Sequence, residues 1–169
     1  MFGDLKQYLD AWDWESKRTT EVLEALPRSQ YDFRPDSKGR SLGELAWHLA
    51  EIDAYMTYGI EKGGFGVGDK PPGIERPRTI EALAPGYRKV HEDAVARVKK
   101  LTPADLDRTI KFFDGSDMTI RMILWGPLYS HLIHHRGQLM LLSRMAGGVN
   151  PRVYGPTREM TEETMRARA

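Results

Sequence analysis

The sequence predicts an all-α fold: one domain over residues 1–169, built as a bundle of four long helices. Three observations lead to it. Four segments carry apolar residues at the spacing of a helix with one buried face. Stretches rich in glycine and proline separate those segments. No internal repeat, low-complexity tract or compositional break divides the chain.

The first helix is marked by Phe2, Leu5, Leu9, Trp12, Val22, Leu23 and Leu26, with Lys6, Lys17 and Arg18 on its other face and Pro27 as its stop. A turn-forming run, 34–40, leads to the second. That helix opens on Ser41-Leu-Gly-Glu44, a capping box in which serine oxygen and glutamate each satisfy an orphan backbone N–H. Leu45, His48, Leu49, Ile52, Tyr55 and Met56 continue it at helical spacing to about Lys62. Residues 63–78 hold glycines and prolines that sustain neither helix nor ladder, and a loop this long is expected to serve as a mobile lid. Its glycines are a poor phosphate loop, since no strand precedes them and no Gly-Lys-Ser/Thr ends them.

A third helix is expected from near Thr79, restarting so that Pro85 falls in a first turn, where its missing N–H costs nothing. Val90, Ala94, Val98 and Leu101 line its buried side. Residues 109–117 suggest a short strand and turn. The fourth helix runs from about Thr119 to Met145, kinks at Gly126-Pro127 and stops at Gly147-Gly148. The tail from Asn150 reads as irregular chain wrapped over the bundle.

Composition narrows the function. Hydrophobic content of 40% and charged content of 29% are those of an ordinary globular protein. A net charge of +1 gives no reason to expect a nucleic-acid partner. No stretch approaches the roughly 18 apolar residues of a membrane span, so no membrane partner is expected. The first residues acquire acids at once and lack an apolar core segment, which argues against a signal peptide. There is no cysteine, which excludes disulfides, thiolate metal sites and a cysteine nucleophile, and fits a cytoplasmic location. Any metal must sit on nitrogen and oxygen.

Three of the five histidines, His131, His134 and His135, fall close together on the fourth helix. His131 and His135, four residues apart, stand about 40° apart around the axis, one turn above the other. Two imidazoles so placed can share one divalent ion at about 2.0–2.1 Å each. His48 is the natural third ligand, because it lies on the apolar stripe of a helix that a bundle turns inward. A single buried histidine is usually a satisfied core residue, but two stacked on one apolar face would leave several ring nitrogens unpaired without an ion. His134 points about 60° to the other side of His131, toward the surface or an outer contact with the site. His91 is expected to be a half-exposed helix residue.

Two stretches, Ser41-Leu-Gly-Glu-Leu-Ala-Trp-His48-Leu-Ala and His131-Leu-Ile-His-His135-Arg-Gly-Gln-Leu139, resemble the signature segments of the DinB/YfiT-like superfamily. The histidine pair followed by Arg-Gly-Gln-Leu is the more specific of the two. Helix order and the proline- and glycine-rich ending extend the resemblance over nearly the whole chain. It implies an up-down-down-up four-helix bundle, often a homodimer, with a three-histidine site for zinc, nickel or iron. Carried over by position, the ligands are His48, His131 and His135, the three that spacing selects.

Three neutral ligands leave a coordination position open, the arrangement of a catalytic site. The zincin motif H-E-x-x-H is absent, since Leu132 stands where the base would be. Glu44 and Glu51 flank His48 on its side of the helix. Either can orient an imidazole, move a proton or replace His48 as ligand, although the capping box claims Glu44 and a lysine would satisfy Glu51. Arg136 and Gln138 belong to the signature that the chain resembles, and there Arg136 is expected in a structural ion pair and Gln138 against a ligand or backbone group. Trp47, Tyr55, Trp125 and Tyr129 are either core or pocket wall. The resemblance implies a metal-dependent transferase that passes a low-molecular-weight thiol, supplied as cosubstrate, to an electrophile, or alternatively a hydrolase, an isomerase or a non-catalytic metal-binding stress protein.

Overall fold

The computed structural model describes residues 4–168. Phe2, expected on the first stripe, lies outside the described residues. The chain is mostly helical, with one two-stranded sheet.

Helix α1, Leu5–Glu24, starts on a capping box between Asp4 and Gln7. Trp12, Val22, Leu23 and Leu26 are buried as expected. The inward face, however, runs through Tyr8, Glu15, Ser16 and Thr19 as well, three of them polar. Leu5 and Leu9 lie at its margin, packed but only partly buried. Helix α2, Leu42–Lys62, begins at the Ser41/Glu44 capping box and ends at Gly63, whose φ of 83° is open to glycine at little cost. It is buried almost all round, because α3 packs on one side and α5 on another.

After a 3₁₀ turn at Ile80–Ala82, helix α3 spans Leu83–Val98 with Pro85 in its first turn, as the sequence predicts. Val90, Ala94 and Val98 are buried. Strands β1, Thr109–Lys111, and β2, Asp117–Thr119, form an antiparallel hairpin closed through Gly115.

The fourth rod is continuous but not uniform. Helix α4, Ile120–Ile123, is capped by Thr119; a π-helical segment, Leu124–Ser130, follows; α5 covers His131–Met145. Pro127, where a kink is expected, falls inside this wider turn. Proline lacks an N–H and its ring collides with the carbonyl four residues back, and a π turn makes room for both defects. Ser130 Oγ donates 2.8 Å to the Trp125 carbonyl within the segment.

Two expectations need revision. The loop after α2 is tied down. Phe65 packs on Phe112 and Phe113 at 5.0 and 4.7 Å, its N–H donates to the Lys111 carbonyl, and Asp69 bridges Lys62 and the Gly66 N–H. The loop's start lies fifteen residues beyond His48 on α2, about 22 Å along the axis, whereas its far end returns to the opening of α2, where the Ile74 carbonyl accepts from Trp47 and Arg76 reaches Glu44. The tail is not wholly irregular either. A sixth helix, α6, spans Arg158–Arg166 behind a Thr157 cap, anchored to α5 through Arg144 and Glu159.

The core joins α1, α2, α3 and the fourth rod around Trp12, Trp47, Tyr87, Leu49, Leu83 and Leu124. Among the described residues, no helix is long and apolar enough to cross a membrane.

Candidate metal centre

The apolar stripe of α2 faces α5, so the site is built where those two helices meet. His48, His131 and His135 each offer a ring nitrogen, and these atoms lie within 4.8 Å of one another. Ring centroids are 5.6 Å apart for His48 and His131, 4.7 Å for His48 and His135, and 4.5 Å for His131 and His135. The three residues that spacing singled out are the three the fold brings together.

Each ring is held by its outer nitrogen. His48 Nδ1 donates to Glu51 Oε2 at 2.9 Å, His131 Nδ1 to the Pro127 carbonyl at 3.2 Å, and His135 Nδ1 to Gln138 Oε1 at 2.7 Å. All three partners are acceptors, so each Nδ1 carries the proton and each neutral ring keeps its lone pair on Nε2. Nε2 of His131 and of His135 then face each other at 2.8 Å. Two lone pairs this close repel unless a cation lies between them. A proton is a poor candidate at neutral pH. Burial pushes the His135 pKa down to about 4, only partly offset by Gln138, and lowers that of His131 as well. For comparison, two nitrogens bound tetrahedrally at about 2.0–2.1 Å stand about 3.3 Å apart. The donor set fits a divalent ion.

The surrounding residues sort by contact. Glu44 is fully engaged by the cap: it accepts from Ser41 N–H at 2.9 Å and from Arg34 at 2.8 Å, with Arg76 beyond. The Ser41 N–H, chiefly, holds its carboxyl below the usual range. It therefore does not serve the histidines. Glu51 meets His48 rather than a lysine. Gln138 holds His135. His134 is exposed and rests its ring against His135 at 5.0 Å. Arg136 points the opposite way, into the core, where it pairs with Glu15 and donates 2.9 Å to the Glu15 carbonyl. Tyr154, from the tail, donates its hydroxyl hydrogen to Glu15 at 3.0 Å.

A cavity of about 310 Å³ opens beside the cluster, lined by His135, Gln138, Arg40, Leu45, Leu142 and Met145 among others. Trp47, Tyr55, Trp125 and Tyr129 do not line it. Trp47 is core, its indole N–H given to the Ile74 carbonyl at 3.1 Å; Trp125 and Tyr129 pack with each other near Tyr8. Sequence reasoning also missed a buried polar contact. His91, expected half-exposed, donates from Nδ1 to Asp53 at 2.7 Å, and Asp53, fully buried, also accepts from the Trp12 indole. The one available signal was position: Asp53 follows buried Leu49 by four residues on α2.

Residues 11–139 match the model of the DinB superfamily. The chain is 28% identical to the Bacillus subtilis protein YrdA over 160 residues, 94% of this chain and 93% of that protein. A crystal structure of a DinB-like protein from Bacillus cereus superposes with a TM-score of 0.76 at 28% identity, covering 91% of this chain and all of the other. A second, the DinB-like protein YjoA from B. subtilis, gives 0.70 at 25% identity, over 88% and 96%. With its paired histidines on the fourth rod and the third on α2, the chain belongs to the DinB superfamily.

Proposed function

We propose that this protein binds one divalent metal ion, zinc, nickel or iron, through His48, His131 and His135, and is a metal-dependent enzyme acting on small molecules. The carrying observation is the pair of imidazole nitrogens 2.8 Å apart, both with outer nitrogens already committed, beside a third ring on another helix. Imidazole suits all three metals. When bound, the ion supplies a Lewis acid that lowers the pKa of a thiol or a water. The reaction that fits best is transfer of a low-molecular-weight thiol to an electrophile. The chain has no cysteine, so the thiol enters as cosubstrate. The protein's part is to hold three neutral imidazoles in fixed tautomers, keep water from the apolar flank and orient the electrophile in the adjoining cavity.

A non-catalytic metal-binding role is the second reading. It is favoured by the engagement of both nearby acids, Glu44 in the cap and Glu51 on His48, which leaves neither free as a base.

The supporting contacts also suggest that the rods run up-down-down-up in one domain. Tyr8 meets Trp125 and Glu15 meets Arg136 further along both helices, so α1 and the fourth rod run together. Asp53 meets His91 and Glu61 meets Lys100, so α2 and α3 do likewise.

The test has two stages. Elemental analysis of purified protein should find about one ion per chain, lost in the triple alanine variant. Metal-loaded protein is then incubated with a panel of thiols and a reactive electrophile. Thiol consumption no faster than with His135→Ala discards the transferase reading and leaves the binding role.

A further inference from the structure

We infer that Arg40 is a specificity-determining residue of this site, an anchor for a carboxylate on a substrate with an apolar body. The inference rests on the metal-centred reading for its place in a reaction, but stands on separate observations.

The first is the cavity. Its walls are Leu45 from α2 and Leu141, Leu142 and Met145 from α5, while His135 and Gln138 form the end toward the metal cluster. Leu141 and Met145 are 63% and 55% exposed, an apolar surface left open among the described residues. About 310 Å³ suits a small molecule rather than a polypeptide segment.

The second is the charge at the rim. The run before α2 carries two arginines. Arg34 is neutralised by Glu44 and also donates to the Gly39 carbonyl. Arg76, reaching in from the long loop, shares the same Glu44. Arg40 lines the cavity and has no hydrogen bond or ion pair among the described residues. It is nonetheless near enough to His131 for their charges to interact.

The third is rigidity. Leu42 N–H donates to the Phe33 carbonyl and Gly43 N–H to the Tyr31 carbonyl, both at 2.9 Å, and the Asp36 carbonyl accepts from Gly39 N–H at 3.0 Å. Arg40 therefore projects from a braced turn one residue before the Ser41 cap. An ion on three neutral histidines would add positive charge that only Glu51, behind His48, offsets. A guanidinium beside it makes the site doubly attractive to an anion. Guanidinium and carboxylate match in a planar, two-point contact.

The experiment follows the cavity methyl groups of Leu45, Leu141, Leu142 and Met145 by NMR, using the full chain with and without one equivalent of zinc. Hexanoate is titrated against hexanamide, the same shape without the charge. The expected result is tighter binding of hexanoate, weakened about tenfold in Arg40→Gln and less in Arg40→Lys, with hexanamide unaffected by either change. Because Arg40 is exposed, both variants should fold. Equal affinity for acid and amide, or an unchanged preference in Arg40→Gln, overturns the anchor. So does a preference that disappears with zinc and not with Arg40, which assigns the anion to the ion. Methyl shifts that move with protein concentration alone overturn it too, by placing a second copy of the chain in the groove. Failure of zinc to bind, with the Arg40-dependent preference intact, overturns the metal reading alone.

Discussion

Glu51 and Gln138 choose the tautomers of His48 and His135, which a bound ion could not do for itself. A ring whose Nδ1–H is given to a carboxylate presents Nε2 as a better donor, and a ring with no outer partner rotates or binds through the wrong nitrogen. Glu51→Ala is expected to weaken zinc affinity about 10- to 100-fold and Gln138→Ala less, by competition against a chelating dye, with little change in the helical spectrum. Glu44, one turn before His48, should behave differently. Its carboxyl is held below its ordinary value by the Ser41 N–H and Arg34, so its contribution to stability is present above the unfolded pKa near 4.5 and is lost as pH falls through the lower folded value. Thermal melts of Glu44→Gln should therefore show a flatter decline than wild type from pH 5 downward, at unchanged zinc affinity near neutrality. All three clustered histidines were legible, because i,i+4 spacing and an apolar stripe are local facts. Gln138, three residues after His135, was legible through the family signature rather than through spacing. That Glu51 would take His48 rather than a lysine was not, because spacing offers partners without ranking them.

At the level of single elements, the capping box of α2 and the proline in the first turn of α3 fell where local rules put them. What local rules missed was set by distant contacts. The 63–68 segment looked mobile because it holds four glycines, yet Phe65 finds Phe112 and Phe113 nearly fifty residues away and packs against Gly59. A Cβ at position 59 would come within 2.3 Å of that ring. Gly59→Ala should thus dislodge Phe65 and destabilise the protein by about 1–3 kcal/mol, the usual cost of overpacking, read by chemical denaturation. Zinc affinity should stay as it was, since residue 59 lies eleven residues from His48, about 16 Å along α2. A drop in both would mean that the loop and the metal centre are coupled. The π segment belongs to the same lesson. Sequence located the defect at Pro127 but not its resolution, which depends on how the rod packs before and after the proline. Helix α6 was missed because it buries nothing and carries only two apolar side chains, Met160 and Met165, too few to mark a stripe.

Across the whole molecule, two polar contacts cross the core where apolar patterning saw only stripes: Glu15 with Arg136, and Asp53 with His91. The first ties α1 to the helix that carries the histidine pair; the second ties α2 to α3. Neither could be paired from one sequence, because the residues are 121 and 38 positions apart. Between α2 and α5, by contrast, the polar link at the site is the histidine cluster, which on the proposed reading a metal ion closes. The ion would then be a cross-link between two helices, and its removal should loosen both rather than either alone. Binding to the folded state only adds about 2.7 kcal/mol when free metal stands at 100 times the dissociation constant. Wild type is expected to melt several degrees lower after chelation and to recover fully with zinc. His48→Ala and His135→Ala should each melt at one temperature with or without the metal. Hydrogen exchange sharpens the point: zinc should slow exchange around His48 on α2 together with His131 and His135 on α5, and leave α6 unchanged. Protection confined to α5 would mean that the histidine pair binds alone and that His48 is a neighbour, not a ligand.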